Sequence, residues 1–119
     1  MLPRYDEFYM PLLRVLQDGK IYTMKEVKKL IAEKLHISDD ALLERLSSDR
    51  QTVYDNRIGW AKTYLKKAKV IESPKRAQVV ITDRGKTLLA SGEIITNALL
   101  EQKYPEFAEF RGKKNIEKK

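Results

Sequence analysis

Asn56, Arg57 and Thr63 are residue types that can read a nucleic acid, and they sit close together in the run DNRIGWAKTYLKKA, Asp55 to Ala68. Around them Tyr54, Ile58, Ala61, Leu65 and Ala68 recur at spacings of four and three, the period of one helical face. That spacing predicts a helix from about Arg50 to Ala68. Opposite its apolar stripe lie Thr52, Asn56, Gly59, Thr63 and Lys67, with Asp55, Lys62 and Lys66 on one flank and Arg57, Trp60 and Tyr64 on the other. Asn and Arg make bidentate hydrogen bonds to adenine and guanine edges, and a threonine methyl suits a thymine or other 5-methyl group. The first half of a recognition helix usually reaches bases while its far end meets the backbone. Asn56, Arg57 and Thr63 are therefore the candidate readers and Lys66 and Lys67 the candidate phosphate contacts, with Thr52 and Asp55 completing the set on this helix.

The same residues have plainer readings. Arg57 can snorkel along the core edge or pair with Asp55 or Glu72, and Trp60, beside the apolar stripe, reads first as packing. Gly59 in mid-helix costs about 1 kcal/mol against alanine. Close approach of another helix or of a DNA backbone would each account for it.

Charge supports a polyanionic partner. The net charge is +7 over 119 residues. Residues 1–50 hold nine basic and nine acidic side chains, residues 51–92 hold nine basic against three acidic, and residues 93–119 hold six against five. Nearly all the excess thus falls in one stretch, as an electrostatic footprint would. Zero cysteines exclude disulfides and thiolate metal sites and point to a reducing, cytoplasmic compartment. With one histidine, His36, and five scattered glycines, imidazole catalysis and a phosphate-binding glycine loop find no material. No apolar run is long enough to span a membrane, and no signal peptide opens the chain. No metal, cofactor or catalytic residue is expected.

The elements that must position the readers follow from periodicity and capping signals. Tyr5 to Asp18 reads as a helix carrying Phe8, Leu12, Leu13 and Leu16, with Gly19 as its left-handed end. Lys20 to Tyr22 reads as a short extended piece. Thr23 and Glu26 form a capping box for a helix with Val27, Leu30, Ile31 and Leu35 inside. Ser38 starts a short helix with Leu42, Leu43 and Leu46, and Ser48 with Gln51 reads as a further capping box. Val70 to Ser73 and Gln78 to Ile81 read as strands joined by a tip that holds Lys75 and Arg76, a basic wing suited to phosphates or a narrow minor groove. Thr82 caps a helix through Leu88 and Leu89. A last helix is expected from Glu93 to Lys103, with Pro105 ending it and Phe107 and Phe110 docking back.

This order predicts an α+β, mostly helical domain: a winged helix-turn-helix over residues 1–92, a helical extension over 93–110 and a flexible basic tail over 111–119. Its partner would be double-stranded DNA, plain or methylated. Ile94, Ile95 and Leu99 offer a homodimer face, so a protein-interaction or dimerisation module, or a small transcription repressor, is the alternative.

The run from Asp55 to Arg76, the opening LPRYDEFYMPLLRVL and the closing ITDRGKTLL together resemble the N-terminal domain of Mrr-type restriction endonucleases over roughly residues 2–90. The resemblance implies a DNA-binding winged helix with Asp55 to Lys67 as the reading helix and Lys75 and Arg76 in the wing. It implies the specificity part of a modification-dependent restriction system, which in full-length relatives precedes a metal-dependent nuclease domain. Two departures stand out. Lys69 occupies a position that is usually glycine in the family, so a left-handed backbone there costs on the order of 1 kcal/mol. The nuclease signature is also lacking: Glu26-Val27-Lys28 and Glu101-Gln102-Lys103 match its carboxylate-x-lysine pattern, but on expected helices and without a partnering acid.

Overall fold

The hydroxyls of Thr23, Ser38, Thr52, Thr82 and Thr96 each accept a hydrogen bond from the backbone N–H three residues on, and each starts a helix. Thr23 and Glu26 complete a reciprocal box, the Glu26 carboxylate accepting from the Thr23 N–H at 2.9 Å. The computed structural model describes residues 2–44 and 52–117, with side chains through residue 111. A 3-10 turn at Tyr5–Phe8 leads into α1 (Tyr9–Leu16), followed by β1 (Tyr22–Thr23), α2 (Met24–Lys34) and α3 (Asp39–Leu43). Then come α4 (Val53–Lys67), β2 (Ile71–Glu72), β3 (Gln78–Ile81), α5 (Asp83–Ala90), α6 (Asn97–Lys103) and α7 (Pro105–Glu117). The domain is α+β and mostly helical, as expected.

The expected extended piece becomes the third strand of an antiparallel sheet ordered β1-β3-β2, with Tyr22 opposite Val79 and Ile71 opposite Ile81. The Met24 N–H donates to the Ala77 carbonyl at 2.8 Å, so the hairpin is tied to the start of α2. Through the core runs α4: Ile58, Ala61, Leu65 and Ala68 are fully buried against Phe8, Leu12, Leu13 and Leu16 from the α1 region and Val27 and Ile31 from α2. At its end the Lys69 N–H donates to Lys66 and the Val70 N–H to Leu65, the two bonds of a Schellman motif. Lys69 takes φ 61°, the left-handed conformation its position demanded.

Several expectations change in detail. The first helix divides into a 3-10 turn and α1 because Pro11, with no N–H, would clash with the Glu7 carbonyl in a continuous α-helix. Leu30 of α2 and Leu35 just after it are exposed (38% and 37%), while Met24 joins the core instead. Leu43 is 70% exposed. The capping box at Ser48 and Gln51, the helix start at Arg50 and the apolar Leu46 lie outside the described residues.

The largest correction concerns the last helix. It begins at Asn97 rather than Glu93, because Thr96 caps it and the preceding residues are drawn out to bury Ile95 (4% exposed). Ile94, Ile95 and Leu99 therefore do not share one outward face. Ile95 lies in the core, Leu99 packs half-buried against it, and Ile94 alone of the three is open, at 81%. The inward residue of α6 is Leu100.

Residues beyond 92 share the core of the preceding part. Ile95, Leu100 and Phe107 belong to the same buried cluster as α1 and α4. Asn97 receives a hydrogen bond from Tyr9 at 2.6 Å and gives one to Tyr5 at 2.9 Å. Burial pushes the Tyr9 phenol well above its ordinary pKa, so it stays a donor. The backbone of α7 is helical through Glu117, where a frayed tail was expected.

Candidate nucleic-acid interface

Burying Ile58, Ala61, Leu65 and Ala68 turns the opposite side of α4 to solvent. Thr63, Lys66 and Lys67 are exposed there, and Asn56 is half-buried. Lys66 and Lys67 occupy the last turn, where cations also complement the helix dipole. The Lys67 ammonium lies 5.3 Å from the Phe110 ring centroid, which steadies its stem without neutralising its charge. Partial burial, then the neighbouring Lys66 and Lys28, lower the pKa of Lys62. Like charges crowd on this side of the helix. Lys75 and Arg76 stand exposed at the tip between β2 and β3. Among the described residues no carboxylate lies within ion-pair distance of Lys62, Lys66, Lys67, Lys75 or Arg76.

The remaining candidate residues divide by what holds them. Thr52 is the N-cap of α4, its hydroxyl accepting from the Asp55 N–H at 3.1 Å. The Asp55 carboxylate pairs with Lys28 of α2 at 3.4 Å. Arg57 is engaged elsewhere than expected. Its guanidinium donates to the carbonyls of Leu2 and Pro3, at 2.9 Å each, and so clamps the N-terminal segment. Neither Asp55 nor Glu72 is its partner. Thr63 donates its hydroxyl proton to the Gly59 carbonyl at 3.0 Å.

Asn56 and Thr63 do come together. With Asp55, Gly59 and Trp60 they line an open cleft of about 310 Å³ on the solvent side of α4. A Cβ built at Gly59 would meet nothing within 4 Å beyond the helix's own backbone and its chain neighbours. Among the described residues, no other helix therefore approaches it. Trp60, read from the sequence as packing, is 48% exposed and forms one wall of the cleft. Its ring stands edge-to-face on Tyr64, 6.0 Å between centroids, and Tyr64 is itself wedged among Tyr5, Phe107 and Phe110.

A second polar cluster, which the sequence did not bring out, joins the end of α4 to the C-terminal helices. Arg84 donates to the Ala68 carbonyl and to Glu106, and its guanidinium stacks 4.7 Å from the Tyr104 ring centroid. Lys69 reaches the same Glu106 carboxylate at 3.8 Å. Hydrogen bonding to its own backbone N–H, then to Arg84, holds Glu106 below the usual carboxylate range.

Both short carboxylate-x-lysine patterns lie on helices, α2 and α6, and Lys28 is already paired with Asp55. Among the described residues, no three His, Cys, Asp or Glu side chains are grouped to hold a metal ion. Nor is any described helix long and apolar enough to cross a membrane.

The chain is 33% identical over 93 residues to the type IV methyl-directed restriction enzyme EcoKMrr of Escherichia coli (strain K12), a match covering 76% of this chain. It spans only 30% of that relative's length. No solved structure matches significantly. The family description "Mrr N-terminal domain" matches residues 5–91, from the 3-10 turn to the end of α5. The chain belongs to the Mrr N-terminal domain family.

Proposed function

We propose that this chain is a double-stranded DNA-binding domain of the winged-helix kind. It would lay α4 in the major groove and the β2–β3 hairpin along the phosphates, as the specificity part of a modification-dependent restriction system acting in the cytoplasm. The observation that carries this reading is the group of exposed cations, Lys66, Lys67, Lys75 and Arg76, on α4 and on the tip that follows it, with no ion pair to a carboxylate among the described residues. A B-DNA major groove about 12 Å wide admits one helix. In this reading Lys66, Lys67, Lys75 and Arg76 meet phosphates, while Asn56 and Thr63 face base edges. Thr52 and Asp55 set the start of the helix, and Arg57 orders the N-terminal segment beside it. Only the N-terminal domain of the family is matched, so cleavage is assigned to the part of full-length relatives that this chain does not span.

A protein-interaction module is the weaker reading, since Ile95 is taken up by the chain's own core. Sedimentation with and without a labelled duplex separates the two. A DNA-binding domain stays small alone and co-sediments with duplex; an interaction module self-associates and ignores it. Methylated and plain duplexes of one sequence, compared in the same assay, test whether modification is read.

A further inference from the structure

We infer that Lys69 is a further phosphate contact and that the Glu106 carboxylate competes with the duplex for it, a role that rests on the DNA-binding reading above. In sequence Lys69 stands between the cations of α4 and those of the hairpin tip, just past the C-cap Ala68 and two residues before β2. Its side chain is 66% exposed. With Lys66 and Lys67 it lines an open cleft of about 470 Å³ at the end of α4, closed on the other side by Glu106, Glu109 and Phe110 of α7. Of these three lysines, Lys69 is the one that a carboxylate of the chain already holds.

A lysine is a costly residue here. At φ 61° its backbone lies in the left-handed region, which glycine would occupy without strain. Strain of this kind in a non-glycine residue points to a use for its side chain. The ion pair within the protein is a poor candidate for that use. Glu106 Oε2 already accepts from Arg84 at 3.1 Å, and the Lys69 ammonium reaches the same oxygen only at 3.8 Å, beyond hydrogen-bond distance. An exposed pair at that separation contributes less than the left-handed backbone costs. Arg84, by contrast, is fixed, because it also donates to the Ala68 carbonyl and stacks on Tyr104. Glu106 therefore keeps a partner when Lys69 leaves, and Lys69 can swing to an anion outside the protein. A duplex phosphate offers the same charge as the carboxylate, and counterion release from the DNA favours the exchange.

Duplex affinity of the whole chain, measured by fluorescence anisotropy across a salt series, tests this. Lys69→Gly relieves the backbone, so it should fold at least as well as wild type and still bind more weakly. Its deficit should grow about eightfold for each tenfold dilution of salt, the log–log slope being shallower by about 0.9. A merely structural Lys69 would give the stability gain and leave the slope alone. Glu106→Gln should bind about two- to fivefold more tightly, the strength of an exposed competing pair. That gain should vanish when Glu106→Gln is combined with Lys69→Gly. Melting curves set a temperature at which every variant is folded. An unchanged slope in Lys69→Gly overturns the proposal. So does a Glu106→Gln protein that binds no tighter, or one whose gain persists alongside Lys69→Gly, as loss of any negative charge would give. Those outcomes leave the DNA-binding reading standing, whereas absence of duplex binding by the wild type overturns both.

Discussion

Two glycines in this chain should respond to the same substitution with opposite signs. At Gly59 an added Cβ meets nothing, while at Gly85 it would stand 2.2 Å from the Val70 carbonyl oxygen and 2.7 Å from Ile81 Cγ1. Gly59→Ala then gains only the backbone term, about 1 kcal/mol of stability, or about 4 °C in melting temperature for a domain of this size. Gly85→Ala forces α5 away from the β2–β3 sheet that Thr82 ties to Val70 and Lys69, at 3.0 and 2.8 Å. Overpacking against rigid backbone costs about 3 kcal/mol or more, enough to lower melting by over 10 °C. Thermal melts and urea titrations of the two variants read both values. A Gly59→Ala protein less stable than wild type would refute the open cleft, because the space would have to be used within the fold. A neutral Gly85→Ala would refute the close approach of α5 to the sheet.

Other consequences are cheaper to check. Lys69→Gly should raise stability by about 1 kcal/mol in urea unfolding, since a left-handed backbone favours glycine. Arg57→Ala should lower stability by about 1–2 kcal/mol, because it removes a charged donor from the carbonyls of Leu2 and Pro3, and hydrogen exchange at the N-terminal segment should rise. Glu106 has a depressed folded-state pKa, so its contribution is present above the ordinary glutamate pKa and is lost as pH falls through the folded value. Glu106→Gln should therefore flatten the acid limb of a stability-against-pH curve and leave the variant less stable near neutrality.

Much of this arrangement was legible in the residues. The spacing of Ile58, Ala61 and Leu65 fixed which side of α4 is buried, and so which side is open. The capping residues Thr23, Ser38 and Thr82 marked helix starts because a cap is a local interaction, readable within four residues. Long-range pairing was not legible. Nothing near Arg57 announces that Leu2 and Pro3, more than fifty residues away, supply its acceptors. Likewise, the start of α6 was misplaced because Ile95 serves the core as an extended residue, and burial outweighed the helical pattern of its neighbours. Gly59 had drawn notice as an unfavourable helix residue. Only the geometry, with no other helix among the described residues approaching it, shows that its open side faces outward.

The dependence of duplex affinity on salt tests the central claim most directly. If α4 and the hairpin tip meet four to six phosphates, log affinity should fall against log salt with a slope of about −4 to −5, and Lys66→Ala with Lys67→Ala should make it shallower by about two. A flat dependence, or a slope that the double substitution leaves unchanged, would contradict the account.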